Sequence, residues 1–150
     1  MSSRICIICD SRNGSTLDLA RAIDAGVHDE QCESRLRRVE LTDPEHGVDP
    51  QAPAYRECQQ ALRELEPACI DDLRWADGIV WGSPTRYGLM SLPLRTFIDQ
   101  IAPLWREGAL IGKVGAAFTS SGGMHSGNET TLWSLLMPFL QHGMIVLGVP

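Results

Sequence analysis

The sequence is poor in the features that mark membrane, secreted and nucleic-acid-binding proteins. It contains no run approaching the roughly 20 apolar residues that a membrane span needs. Its start, MSSRIC, lacks the basic segment and long apolar core of a signal peptide. With a net charge of −6, it has little of the basic character that binds a phosphate backbone. We therefore expect a cytoplasmic protein that spans no membrane and binds no nucleic acid.

The sequence also lacks the cysteine and histidine spacing of a metal site. Cys6 and Cys9 have the C-x-x-C spacing of a metal or redox pair, but they lie within the apolar run RICIIC. Residues three apart on a strand point to opposite faces, so this pair is predicted to pack in the core. The histidines have no partner spacing typical of a metal ligand set. We predict no metal, and five free thiols as in a reducing cytosol.

The composition is that of one soluble domain, predicted to cover residues 1–150, with 43% hydrophobic and 21% charged residues. Short apolar runs alternate with helical patterns, which predicts a parallel sheet with helices on both faces. The predicted strands are Arg4–Cys9, Arg35–Leu41, Gly78–Gly82, Val114–Thr119 and Met144–Val149. The predicted helices are Thr16–Val27, Tyr55–Leu65, Ile70–Trp75, Leu94–Ile101 and Asn128–Phe139. Residues 43–54 and 103–113 are interpreted as loops, and Trp75, Trp81 and Trp133 as core residues.

The segment DSRNGST, residues 10–16, joins the first strand to the first helix. It places backbone N–H groups, serine and threonine hydroxyls and the positive end of a helix dipole around one point. These groups can hold a phosphate without a lysine. The segment has neither the Walker lysine nor the G-x-G-x-x-G spacing, which argues against a nucleoside triphosphatase and an ordinary dinucleotide fold. An ordinary capped turn remains the alternative for this loop alone.

Two more loops of similar composition follow the third and fourth strands, SPTRYGLMS and SSGGMHSGN. In a doubly wound sheet, ligands bind beyond the carboxyl ends of the strands at the switch in strand order. The three loops are therefore expected to converge at one edge. A phosphate held by the first loop and a flat ring between the other two would suit a mononucleotide such as FMN.

Three segments carry a family resemblance: GSPTRYGLMSLPLRTFIDQ, LWREGALIGKVGAAFTSSGG and HGMIVLGVP. They resemble the WrbA-type NAD(P)H:quinone oxidoreductases. The resemblance implies a flavodoxin-like, doubly wound, five-stranded parallel α/β sheet, here without the final helix that the family carries. It also implies FMN as cofactor and NAD(P)H as co-substrate. A homo-oligomer, dimer or tetramer, is expected.

The resemblance further implies the roles of individual residues. Asn13 would contact the nicotinamide cofactor, and Trp105 would line the quinone-binding site. Tyr87 and His142 are candidate proton donors. Gln141 stands where the family often has a histidine at the flavin. The implied FMN-binding residues are Ser11, Arg12, Asn13, Gly14, Ser15, Thr16, Pro84, Thr85, Arg86, Tyr87, Ser120, Ser121, Gly122, Gly123, Met124, His125 and Gln141.

The implied reaction is a two-electron, ping-pong cycle. NAD(P)H would transfer hydride to flavin N5 and leave, and a quinone would then take the same place and accept the electrons. Two alternatives stay open. One is a one-electron carrier with the same fold, and the other is a shortened, non-catalytic paralogue that acts as an oligomer partner.

Overall fold

A computed structural model describes residues 2–40 and 49–148. Within them, five strands form one sheet in the order β2-β1-β3-β4-β5, and every neighbouring pair is parallel. The switch in strand order therefore lies between β1 and β3, as expected for a doubly wound sheet. The strands are β1 Arg4–Cys9, β2 Glu33–Arg38, β3 Gly78–Pro84, β4 Val114–Ser120 and β5 Ile145–Val146.

The strands agree with the prediction except at their ends. Strand β2 begins two residues earlier than expected, and β5 is a two-residue edge strand rather than a run over 144–149. The carboxyl end of that predicted strand and Leu41 lie outside the described residues, as does half of the predicted 43–54 loop. The last two residues of that loop, Pro53 and Ala54, belong to a helix instead. The helices are α1 Ser15–Asp29, α2 Pro53–Arg63, α3 Ile70–Trp75, α4 Leu92–Gln100, α5 Ala102–Glu107 and α6 Asn128–Gln141.

Helix α5 corrects the interpretation of residues 103–113 as a loop. Pro103 lies in the first turn of α5, where its missing N–H costs nothing. Gly108 ends the helix in the left-handed conformation with φ +66°. Both signals stand in the sequence, but the helix is only six residues long and carries no clear apolar period.

Two hydrophobic clusters pack on opposite faces of the sheet. Cys9 belongs to the cluster under α1 and α2, whereas Cys6 belongs to the cluster under the remaining helices. The predicted opposition of this pair is therefore confirmed. Burial raises the pKa of both thiols to about 12, so both stay protonated and unreactive.

The larger cluster is centred on a stacked aromatic pair. The rings of Trp81 and Phe139 lie 3.9 Å apart at 8°, and the indole Nε1 donates to the Leu135 carbonyl at 2.8 Å. Phe139 also lies over Gly115, where a Cβ would come within 2.7 Å of its ring. The core position predicted for Trp133 is wrong: this side chain is 63% exposed. It lies on the outer face of α6, and the spacing of apolar residues in the sequence did not distinguish this face from the inner one.

Among the described residues, every helix is too short or too polar to cross a bilayer. The same residues contain no cluster of three or more side chains suited to hold a metal ion.

Candidate functional site

A cavity of about 290 Å³ opens at the carboxyl edge of the sheet, where β1, β3 and β4 end. All three loops named from the sequence contribute to its wall, and every lining residue is among those named there. The lining residues are Ser11, Arg12, Asn13, Ser15, Thr16, Pro84, Thr85, Arg86, Ser120, Ser121 and Gly122.

The first loop presents the amino terminus of α1 to this cavity. Gly14 precedes the helix with φ +103°, a conformation that glycine adopts without strain. Thr16 is 1% exposed, and its hydroxyl lies 2.7 Å from the hydroxyl of Ser120 at the end of β4. This contact joins the first loop to the third across the floor of the cavity. The unpaired N–H groups of a helix start favour an anion at this point.

The second loop reverses direction in a tight two-residue turn. Arg86 and Leu89 exchange backbone hydrogen bonds of 2.8 and 3.0 Å, with Tyr87 and Gly88 between them at φ +54° and +80°. A tyrosine at positive φ is uncommon, and strain of this kind concentrates at functional sites. The Tyr87 ring is 97% exposed, with the Arg86 guanidinium 5.5 Å from its centre.

The third loop packs against the second through two glycines. A Cβ on Gly127 would lie 3.0 Å from the Cα of Gly88, and a Cβ on Gly88 would lie 2.5 Å from the Thr130 hydroxyl, so both positions favour glycine. Thr85 completes the junction: its amide donates to the Ser120 carbonyl at 3.0 Å, and its hydroxyl lies 2.6 Å from that of Thr131. The two loops are thereby held side by side above the ends of their strands.

These residues fit a phosphorylated ligand. Hydroxyl-bearing residues and a helix amino terminus surround the cavity, and two arginines, Arg12 and Arg86, belong to its wall. The Ser11 hydroxyl is buried and makes no hydrogen bond of ordinary geometry with the chain that the structure describes. A phosphate oxygen is an acceptor that such a donor lacks.

Five other residues named from the sequence lie outside the cavity lining. They belong to the same loops but occupy their turns and rims: Gly14, Tyr87, Gly123, Met124 and His125. Met124 is exposed, and His125, at φ +54°, places its Nδ1 2.6 Å from the Glu129 carboxylate. The predicted contacts of these five residues with a flavin would therefore lie at the open rim of the cavity.

The remaining candidates, Trp105, Gln141 and His142, lie together in a second groove of about 470 Å³ between α4, α5 and α6. The Trp105 Nε1 donates to the Gln141 carbonyl at 2.9 Å. Gly143 follows His142, and its carbonyl accepts a hydrogen bond from the amide of Gly112. Gly112 lies just before the first residue of β4. These three residues thus lie toward the amino edge of the sheet, away from the phosphate cavity of the same chain.

His142 ends α6, and its environment differs from that of a titrating acid or base. Its Nδ1 is buried without a hydrogen bond to any described residue, and burial lowers the pKa of the ring. The imidazole is therefore neutral at neutral pH.

The sequence reasoning missed three residues behind the cavity. Thr131 on α6 continues the hydroxyl chain from Thr85, and Cys58 and Gln59 on α2 contact the first loop from behind. The only sequence signal for Thr131 was its position in the first turn of a predicted helix. For Cys58 and Gln59 the sequence offers none, because α2 and the loop are separated by more than 40 residues.

Residues 3–149 match the family model described as NADPH-dependent FMN reductase. The chain belongs to this family. A relative from Archaeoglobus fulgidus named "NAD(P)H dehydrogenase (quinone)" is 40% identical over 148 residues, which make up 99% of this chain and 77% of that protein. A relative of the same name from Solidesulfovibrio magneticus is 37% identical and is covered over 71% of its length by 97% of this chain.

Solved structures show the same fold. A WrbA-like flavodoxin from Agrobacterium tumefaciens superposes with a TM-score of 0.70 at 24% identity, over 96% of this chain and 76% of that one. A flavoprotein from Lactobacillus acidophilus, solved in complex with FMN, gives a TM-score of 0.62 at 20% identity, over 99% of this chain and 92% of its own.

The predicted flavodoxin-like, five-stranded parallel sheet is confirmed by this likeness and by the strand order. Family membership confirms the resemblance stated from the motifs, and with it an NAD(P)H-dependent oxidoreductase that uses FMN. The roles of the individual residues remain predictions.

Proposed function

We propose that the chain binds FMN in the carboxyl-edge cavity and transfers electrons, two at a time, from NAD(P)H to a quinone. The observation that carries this proposal is the convergence of three separate loops on one cavity of about 290 Å³ lined by hydroxyl-bearing residues and two arginines. Bound flavin supplies the redox chemistry, by accepting hydride equivalents and returning them to an acceptor. The protein supplies binding, orientation and access.

The phosphate is assigned to the first loop. The amino terminus of α1 and the hydroxyls of Ser11, Ser15 and Thr16 supply donors for an anion there. Arg12 lies in the same wall, and its charge opposes that of the phosphate. The ribityl chain is assigned to Thr85 and Arg86, and one edge of the ring to the loop that begins at Ser120.

The substrate is assigned to the open side of the cavity. Tyr87 and Met124 stand almost fully exposed on the two loops that flank this side. Aromatic and thioether groups stack well on flat rings, and nicotinamide and quinone are both flat. One exposed ring face reached by both partners in turn supports a ping-pong order, with Asn13 on the phosphate side positioned toward the nicotinamide cofactor.

A homo-oligomer is part of the proposal, because Trp105 and His142 lie toward the opposite edge of the sheet from the cavity. They can border the flavin only if another copy presents its groove to this cavity. Large apolar side chains remain exposed near both places, which favours such a contact. The exposed side chains are Leu89, Leu92, Trp105, Trp133 and Met137.

The test is to add FMN to the purified protein, remove free flavin by gel filtration, and record the visible spectrum before and after NADPH and then benzoquinone. We expect retained flavin, bleaching by the nicotinamide cofactor and recovery on adding quinone. Colourless protein would support the non-catalytic alternative. Electron uptake in two separate one-electron stages during anaerobic titration would support the carrier. A monomeric mass by light scattering at micromolar concentration would contradict the oligomer.

A further inference from the structure

Helix α2 contacts the back of the first loop through two consecutive residues. The Gln59 side-chain amide donates from Nε2 to the Ser11 carbonyl at 3.3 Å. The Cys58 thiol, 4% exposed, lies beside the amide of Gly14 and the hydroxyl of Ser11. One helical turn therefore contacts both ends of the segment that precedes α1.

These contacts explain which parts of the loop face the cavity. Gly14 is the one residue between Ser11 and Thr16 that does not line it, and its amide lies beside the sulfur of Cys58. The Ser11 carbonyl, which would repel a phosphate, is held by Gln59. Each of the two contacts holds a different peptide group away from the cavity. The remaining hydroxyl and N–H donors of the loop are therefore available to an anion.

The thiol suits this place because it adds no charge. Burial raises the pKa of Cys58, and the contacts with Ser11 and Gly14 offset part of that rise. A protonated thiol behind the loop does not repel a phosphate, whereas a carboxylate would. Sulfur is also a weak acceptor, so the buried Ser11 hydroxyl is not held by a strong hydrogen bond and can turn to a phosphate oxygen.

We propose that Gln59 and Cys58 are positioning residues for the phosphate group of the bound ligand: they fix the first loop in the shape that accepts a phosphate dianion. This inference rests on the proposed function, since it takes FMN as the phosphorylated ligand. Neither residue touches the ligand, and both act through the peptide groups of Ser11 and Gly14.

The test compares FMN with riboflavin, which carries the same ring without the phosphate. Flavin fluorescence titration gives both dissociation constants for the wild type, Gln59→Met, Cys58→Val and Cys58→Ser. Gln60, the exposed neighbour on α2, supplies the matched control Gln60→Met. We expect Gln59→Met and Cys58→Val to weaken FMN on the order of tenfold, as for the loss of one hydrogen bond. Riboflavin affinity should stay within about twofold on the same reasoning, and Cys58→Ser should restore FMN binding because its hydroxyl can accept from Gly14.

The outcomes separate this inference from the proposed function. Wild-type protein that binds neither flavin removes both. Wild-type protein that binds FMN, with Gln59→Met binding it equally well, overturns the positioning role alone. An equal loss for FMN and riboflavin would also overturn it, because a general loss of structure does not distinguish the phosphate. Thermal unfolding of each variant, with the unfolding temperature of Gln60→Met as reference, identifies that case.

Discussion

The ammonium of Lys113 lies 2.6 Å from the carbonyl oxygen of Ala76 and donates also to the carbonyls of Leu73 and Arg74, at 2.9 and 2.8 Å. Lys113 is the only lysine in the sequence. It stands immediately before β4 and closes the carboxyl end of α3, where the last carbonyls of a helix have no partners of their own. The lysine of the GALIGK motif therefore serves the fold rather than the cavity.

Replacing Lys113 with methionine should lower the free energy of unfolding by about 2–4 kcal/mol, because three charge-assisted hydrogen bonds disappear and buried carbonyls lose their donor. Urea unfolding measures the change. Arg95→Met is the control, since the pair that it breaks with Asp99 is exposed and is worth about 0.5 kcal/mol. FMN affinity should not change in folded Lys113→Met; weaker flavin binding with unchanged stability would contradict the structural role.

Thr16→Val tests the bond that joins α1 to β4. The substitution keeps the shape of the side chain but removes the hydroxyl that lies 2.7 Å from Ser120. We expect the dissociation constant for FMN to rise about tenfold, equivalent to one lost hydrogen bond. Fluorescence titration measures it. Thr96→Val is the control, because the Thr96 hydroxyl, as far as the described residues go, donates only to the Leu92 carbonyl of its own helix. Unchanged FMN affinity in Thr16→Val would remove Thr16 from the phosphate site.

Gly88→Ala tests the turn that carries Tyr87. The new Cβ would lie 2.5 Å from the Thr130 hydroxyl, in a backbone conformation with φ +80°. We expect a loss of about 2–3 kcal/mol in unfolding free energy together with weaker FMN binding. Gly112→Ala separates the two causes, because Gly112 has φ +77° and open space around its Cα. It should cost only the backbone strain, about 1 kcal/mol, and leave flavin binding unchanged. Equal losses in the two variants would show that the Thr130 contact costs nothing.

The central strands and the cavity loops could be predicted from the sequence because their signals are local. Strands β1 and β3 are apolar runs bounded by polar turns. Parallel strands that are buried on both faces typically have such continuous apolar sequences. The loops that follow them are dense in Ser, Thr and Gly, and strand order alone brings their residues to one edge. No tertiary detail is needed to place Thr16 near Ser120.

The rest depends on contacts between distant segments. Gln59 reaches Ser11 across 48 positions, in a part of the chain where the motifs are weakest. The resemblance predicts that Trp105 borders the substrate, yet the Trp105 indole donates to the Gln141 carbonyl in a groove away from the cavity. Trp133 is predicted to lie in the core, but the face of α6 that packs inward carries Leu135 and Phe139.

The partly buried imidazole of His142 at the end of α6 should make stability depend on pH. Burial lowers the pKa of His142 in the folded chain, whereas the unfolded chain keeps the ordinary value of 6.5. As the pH falls through that value, the unfolded chain takes up a proton that the folded chain resists, so the unfolding free energy decreases. Urea unfolding at pH 7, 6 and 5 should therefore show a smaller acid loss in His142→Gln than in the wild type. Gln60→Met, which changes no titratable group, supplies the control, and its curve should run parallel to that of the wild type. If His142→Gln also runs parallel to the wild type, then the ring takes up its proton equally in the folded and unfolded chains, and His142 becomes available again as a candidate proton donor.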